Sequence, residues 1–501
     1  MAFKDVTPYF LFVLLVATIG PFLFGYHLSE LNAPIAVITC RKRASTQVAA
    51  SLPQCIPMTS AEVGLVSSIF TLGGLCGALG AGPLSANYGR YKTMLGTTLF
   101  HILGPVLEAL TINIPILTVG RFISGIGAGA ALVVVPIYIS ELAPPKEKGF
   151  FGALTQIMTN VGILTTQVLG LFLSKGQYWR IILAVGGMFG AGQLAGLLLG
   201  GQESPKWLAD HGKPVPAKRI LRKLRGHAAN IEAEVKGWGV SSSETQDDEE
   251  ETLLNNENAH PATDNIPEHE RADENESTSK AVAREVLGPF QVLRHPDSRR
   301  AVLVIMVVML SQQLTGINSV VMYGVDVLAD LLAANSAILN VAVAALNVVV
   351  TTGSAPLVDK LGRKTCLLIS VATMGISSML LGIAILKHIS ILSAVAVVLF
   401  VSGFAFGLGP IPFILSSELV NAEAVGSTQS WALAANWIST FVVAQFFPIV
   451  NEALGGGKTY FIFTTVALLS GIFIAAFLPE SKDKSTADEV WGRSKPSGRE
   501  D

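Results

Sequence analysis

The sequence predicts an all-α membrane protein of twelve transmembrane helices, built as two pseudo-symmetric six-helix bundles. Three observations predict it. Half of the 501 residues are apolar and only 14% are charged, against about 25% in a soluble domain. Uncharged runs about as long as a bilayer is thick recur along almost the whole chain. Three short motifs return once, at nearly one offset. This composition excludes a soluble globular protein, a disulfide scaffold and a nucleic-acid binder.

In chain order the spans are expected at 8–29, 62–86, 93–111, 115–141, 149–174 and 179–201, then at 299–328, 336–358, 365–386, 390–418, 427–452 and 458–478. The first has no long basic region and no small-residue cleavage site, so it reads as a retained helix. The organisation is a first bundle over 1–201, a loop over 202–297, a second bundle over 298–480 and a tail over 481–501. Within the loop, residues 241–279 hold 13 of the 37 acidic residues and a single basic one, Arg271. Such a stretch cannot bury enough apolar surface to offset ordering entropy, and a disordered acidic insert is expected over about 227–280. Without 241–279 the chain has 34 basic against 24 acidic residues.

Lys and Arg set the orientation. One set of helix ends carries Lys4, Arg90, Lys92, Lys146, Lys148, Lys360, Arg363, Lys364 and the tail from Lys482. The other carries Lys175, Lys387 and Lys458, with Arg41-Lys42-Arg43 as a local exception. Both termini and the long loop are therefore expected in the cytosol. The sequon Asn275-Glu276-Ser277 would then stay unmodified.

The repeats pair Gly89-Arg90 with Gly362-Arg363, Ser140-Glu141-Leu142 with Ser417-Glu418-Leu419, and Glu203-Ser204 with Glu480-Ser481, at offsets of 273, 277 and 277 residues. Six plus six helices with a long connection is an architecture of secondary transporters. No Walker-type phosphate loop occurs, no cofactor is expected, and the four cysteines have no metal spacing. No nucleophile–base–acid set appears in the helices, so an enzyme is not expected. Cys40 and Cys55 share one loop and either pair there or stay free thiols.

The spans offer amides: Gln156, Asn160 and Gln167 in span 5; Gln312, Gln313 and Asn318 in span 7; Asn340 and Asn347 in span 8; Asn436, beside Trp437, and Gln445 in span 11. An amide donates two hydrogen bonds and accepts two, which suits neutral polyols. The competing account is that amides only hold helices together. Glu108, Asp326 and Asp330 lie near the non-cytosolic ends of spans, so no core carboxylate relay is expected. Charges of opposite sign at the cytosolic ends (Arg90, Glu141 and Lys148; Arg363 and Glu418) are expected to hold the halves together there. Arg121 stands as an isolated charge in span 4, costly and therefore functional unless it snorkels.

These residues together resemble the sugar porter family of the major facilitator superfamily, the hexose facilitators and proton–sugar symporters. The matching stretches include Gly25-Tyr26 with Asn32-Ala33-Pro34, Gly120-Arg121, Pro136 to Glu141, Glu203 to Leu208, Gln312 to Asn318, Gly409-Pro410-Ile411-Pro412 and Pro479-Glu480-Ser481. The span-1 stretch is most similar to a fungal vacuolar-type branch. The resemblance implies a major facilitator fold and sugar-binding roles for Gln156, Gln312, Gln313, Asn318 and Asn347, with Phe413 where the family has a tryptophan. Ala405, Thr440, Tyr91, Lys148 and Val425 depart from the family's pattern, which puts glucose itself in doubt.

The expected function is transport of a hexose or related sugar or polyol by alternating access. Where symporters keep an aspartate after Gly-Tyr, this chain has His27. A neutral His27 gives a facilitator, the first expectation; a proton-linked carrier using His27, with Arg121 nearby, is the alternative. A sugar receptor or sorting factor acting through the long loop is another. Glu249, Leu253 and Leu254 fit an acidic dileucine signal, which an adaptor would read and which routes proteins to vacuolar membranes.

Overall fold

The computed structural model describes residues 6–41, 52–144, 147–226, 229, 231–236, 288–332, 335–421, 424–482, 484 and 487–492. Residues 237–287, which hold most of the expected insert, the dileucine signal and the sequon, lie outside them, as do Lys146 and the side chains of Lys148 and Asp330. The start of the expected disordered insert is instead ordered: Glu232–Lys236 forms a short helix, and Glu234 pairs with Arg225 at 2.9 Å.

Span 1 is Pro8–Ser29, span 2 Ser60–Tyr88, span 3 Arg90–Ala109, span 4 Ile114–Leu142, span 5 Lys148–Leu173 and span 6 Trp179–Gly200. In the second half, span 7 is Pro296–Leu314 followed by Ile317–Leu332, span 8 Asn335–Leu361, span 9 Arg363–Leu386, span 11 Val425–Leu454 and span 12 Thr459–Phe477. Span 10 runs Ser390–Gly403, a π-helical turn Phe404–Leu408, then Ile411–Glu418. No strand occurs among the described residues. Eleven segments there are long and apolar enough to cross a membrane. The twelfth, span 3, has 20 residues and carries Arg90, Lys92, His101 and Glu108.

Local chemistry fixes several ends. Thr7 accepts from the Phe10 N–H at 3.1 Å and starts span 1. Thr59 and Glu62 form a reciprocal capping box at span 2. Asn113 accepts from the Ile116 N–H at 3.1 Å and starts span 4.

Two breaks depart from continuous spans. Span 7 turns at Thr315-Gly316, where Gly316 has φ +97° and a Cβ would lie 2.5 Å from the Phe463 ring; glycine alone fits both conditions. Span 10 opens at Gly409-Pro410, because proline has no N–H and its ring clashes with the preceding turn. In a bilayer the freed groups need partners. Gln312 Nε2 donates to Leu408 O at 2.7 Å and Gly409 O at 2.9 Å. Ser370 Oγ accepts from the Leu408 N–H at 2.9 Å.

Spans 1–6 pack together and spans 7–12 pack together, with span 2 lying along span 11 and span 5 along span 8. Small residues allow the closest approaches. The Cβ absent from Gly129 of span 4 would stand 1.9 Å from Gly74 O of span 2, and the one absent from Gly74 would stand 2.4 Å from the Trp437 ring of span 11.

Candidate functional site

At the basic end of the bundle, the three repeated motifs assemble into one constellation per half. Arg90 pairs with Glu141 through two bonds of 2.9 Å. Glu203 accepts from the backbone N–H of Arg90 at 2.8 Å and of Tyr91 at 3.1 Å, capping span 3. In the second half Arg363 pairs with Glu418 at 3.0 Å. Glu480 accepts from the N–H of Arg363 at 2.8 Å and of Lys364 at 3.1 Å. These ion pairs were expected to join the halves. Each instead lies inside its own half, because duplication carries both members of the pair into each bundle.

The opposite end holds a disulfide, Cys40–Cys55. The chain after Cys40 reaches the second half: Arg41 pairs with Asp326 of span 7 at 2.8 Å. Residues 52–54 are fastened to span 6 and its lead-in by hydrogen bonds from Gln177, Trp179 and Arg180.

Between the ends lie two amide clusters. In the first, Gln156 donates to Asn160 at 3.3 Å, and Asn160 donates across the halves to Thr351 at 2.9 Å and Asn347 at 3.4 Å. In the second, Gln312 Oε1 accepts from Asn436 and from Gln313 at 3.4 Å, and Gln313 accepts from Asn318 at 2.6 Å. A small cavity at the interface is lined by the amides of Asn32, Gln167, Asn340 and Asn347 among aliphatic side chains. The structure thus divides the sequence-read site. Gln312, Gln313, Asn318 and Asn436 stand together. Gln156 and Asn347 meet through Asn160. Trp437 is buried against Phe24, ring centroids 5.6 Å apart. Phe413 lies beyond the Gly409-Pro410 break with its ring exposed. Many of the amides bond one another, so their donors and acceptors are matched within the clusters.

The charged centre corrects two expectations. Arg121 is not isolated: Nη1 donates to Glu30 Oε1 and, at 2.7 Å, to the His27 carbonyl. A core carboxylate pair also exists. Glu30 Oε2 lies 3.0 Å from His27 Nδ1, and Glu108 Oε1 accepts from Ser124 at 2.6 Å. His27, Glu30, Glu108, Arg121 and the neighbouring His101 are all buried. Glu30 was missed in the sequence; its place three residues after His27, one helical turn away, was the signal that could have found it. Glu108 looked like a span-end residue; the close packing of spans 3 and 4 at Gly104 and Gly120 encloses it.

A family model described as "Sugar (and other) transporter" matches residues 13–491. The chain is 32% identical over 490 residues, 95% of its length and 94% of the relative's, to a Saccharomyces cerevisiae protein named "Probable metabolite transport protein". It is 29% identical over 435 residues, 84% of its length and 76% of the relative's, to a "Facilitated trehalose transporter" of Culex quinquefasciatus. Among solved structures it resembles the xylose transporter XylE from E. coli, with TM-score 0.73 over 96% of this chain and 100% of that one. At 22% identity that likeness speaks to the fold.

Proposed function

Since the chain belongs to the sugar transporter family, a multi-pass membrane family, we propose that it carries a hexose or a related sugar or polyol by alternating access between its halves. The observation that carries the substrate class is the uncharged, amide-rich interface to which both halves contribute. Amides that donate and accept match hydroxyls and do not match ions. The test is counterflow of labelled sugars and polyols in proteoliposomes of the purified chain; trans-stimulated uptake of one of them supports the reading, and none across the panel refutes it.

A second reading, proton-linked transport, is favoured by the buried pair Glu30 and Glu108 around the single cation Arg121. One arginine balances one carboxylate, and a second bare charge at this depth is costly. On this reading the proton sits on the carboxylates, with His27 as the hydrogen-bonding neighbour of Glu30. A pH gradient alone would then drive sugar accumulation, and Glu108→Gln would abolish it while counterflow persists. On the facilitative reading no accumulation occurs.

The basic end faces the cytosol on this proposal, with both termini there. The membrane is a vacuolar one, reached through an adaptor that binds Glu249, Leu253 and Leu254. The lysine and arginine asymmetry and the acidic dileucine support this, as does a 31% identical yeast relative named "Vacuolar protein sorting-associated protein 73".

A further inference from the structure

We propose that the interfacial cavity is a second subsite, for the distal ring of a two-ring sugar, and that Gln167 and Asn340 are the side chains that read it. The inference rests on the sugar reading above and narrows its substrate class to a neutral disaccharide or glycoside. Gln156, Asn160, Ile163 and Gln167 recur at helical spacing and so stand on one face of span 5. Asn340, Ala344, Asn347 and Thr351 repeat that spacing on one face of span 8. The two faces meet. Asn160 bonds Asn347 and Thr351, while Gln167 and Asn340 line one cavity. The seam between spans 5 and 8 therefore carries polar groups at two levels. From Asn160 to Gln167 the helix rises about 10 Å, more than one pyranose ring covers and about the length of two linked rings.

The two levels differ in what is already bonded. At the first, Asn160 accepts from Gln156, and Asn347 Oδ1 accepts from Asn160 and from Thr351 at 3.2 Å. At the second, Gln167 is 3% exposed, and its amide has no hydrogen-bond partner among the described residues. Asn340 donates to Ser336 O at 2.9 Å, which leaves its Oδ1 without a donor there. A Cβ on Gly324 would stand 2.7 Å from that oxygen, so the glycine keeps room for it. Asn32 is committed elsewhere: it donates to Val321 O at 2.9 Å and accepts from the Val325 N–H at 3.0 Å. An amide that only holds helices together is bonded to a neighbouring helix. Gln167 is not, and a buried amide left unpaired is costly. Its donors and acceptor, with the Asn340 oxygen, point to a polar ligand. The described lining carries no charged side chain, so the ligand is neutral. Ile163, Val343 and Ala344 offer aliphatic surface to the C–H face of a sugar ring, while the amides meet its hydroxyl rim. The ring enters as spans 5 and 8 part during the alternating-access cycle.

The test titrates the purified full chain with glucose, fructose, maltose, cellobiose, sucrose and trehalose, reading affinity from the ligand-induced rise in unfolding temperature. At least one disaccharide should bind about tenfold or more tightly than its component monosaccharides, the gain from the added hydrogen bonds. Gln167→Leu keeps the bulk and removes the amide. It and Asn340→Ala should each cut that affinity ratio by about fivefold or more. Gln167→Asn, which keeps the amide but withdraws it, should fall between parent and Gln167→Leu, and with Asn340→Ala it decides the matter if Gln167→Leu does not fold. Gln156→Ala should weaken both kinds of sugar alike and preserve the ratio. Monosaccharide binding with no tighter disaccharide overturns the second subsite, leaves the sugar reading standing and makes the cavity a water site only. A ratio that the Gln167 and Asn340 variants leave at the parent value, or that Gln156→Ala lowers as much, also overturns the proposal. No response to any of the six sugars overturns the proposal and the sugar reading together.

Discussion

Gln312 has two tasks that a mutation there would confound. Its Oε1 belongs to the second amide cluster, while its Nε2 satisfies the carbonyls freed at Gly409-Pro410. Asn318 and Asn347 have no such second task toward a helix break. Asn318→Ala and Asn347→Ala should each weaken sugar affinity about five- to a hundredfold, the roughly 1–3 kcal/mol of a buried hydroxyl left unpaired. Gln312→Ala should do the same and also lower the unfolding temperature in detergent. Counterflow affinity and thermal unfolding of the three variants separate the effects; unchanged affinity in all three removes the amide-lined site. Glu30 invites a parallel comparison. Glu30→Ala leaves Arg121 without its carboxylate at a fully buried position, a loss of about 3–5 kcal/mol. Glu30→Gln keeps an acceptor and should lie between that variant and the parent. Equal unfolding temperatures for all three would show that the pair contributes no stability.

Span 2 and span 11 meet at Gly74, whose absent Cβ would stand 2.4 Å from the Trp437 ring. Gly74→Ala must move either the indole or the helix, and Trp437 is wedged between Gly74 and Phe24. The expected outcome is partial separation of the halves, read as faster labelling, by a membrane-impermeant thiol reagent, of Val343→Cys in the cavity wall on a Cys76→Ser background, with expression retained. Labelling at the parent rate would mean that the interface absorbs a methyl group without opening. The Cys40–Cys55 bridge tests orientation at the same scale. A disulfide persists on the oxidising side of a membrane and is reduced in the cytosol. Alkylation of protein from intact cells, with and without reductant, should show two thiols released only by reduction. Four thiols reactive without reductant would place the disulfide end in the cytosol and reverse the proposed topology.

For the whole molecule, trafficking and transport are separable. Leu253→Ala/Leu254→Ala lies in the inter-half loop, far in sequence from every amide of the site. A fluorescent fusion of this variant should move from the vacuolar membrane to the cell surface, and its counterflow in proteoliposomes should equal the parent's. A fusion that stays in place removes the adaptor from the account. Transport at the cell surface by the displaced variant would also rule out a purely sorting role.

Twelve spans, their approximate ends and the duplication were legible because they rest on one-dimensional signals: bilayer thickness, charge asymmetry and motif offset. The amides of span 7 were legible for the same reason, as polar residues in a run that a membrane makes conspicuous. Which charges pair was not. Arg90 and Glu141 are 51 residues apart, Arg121 and Glu30 are 91 apart, and neither spacing has a sequence rule. Sequence placed Arg121 as lone and Glu108 as a boundary residue, since a helix end and a buried corner look alike until the neighbouring helix is in place. Nor could the Asn32 contact be read, because its partners are backbone atoms of Val321 and Val325, which any residue type would supply. The sequence by itself determined the membrane class, the repeat and the polar inventory, all properties of composition along a line. Tertiary structure alone decided the pairings, the burial of the carboxylates and the contact that spans the halves, because these depend on which helix faces meet.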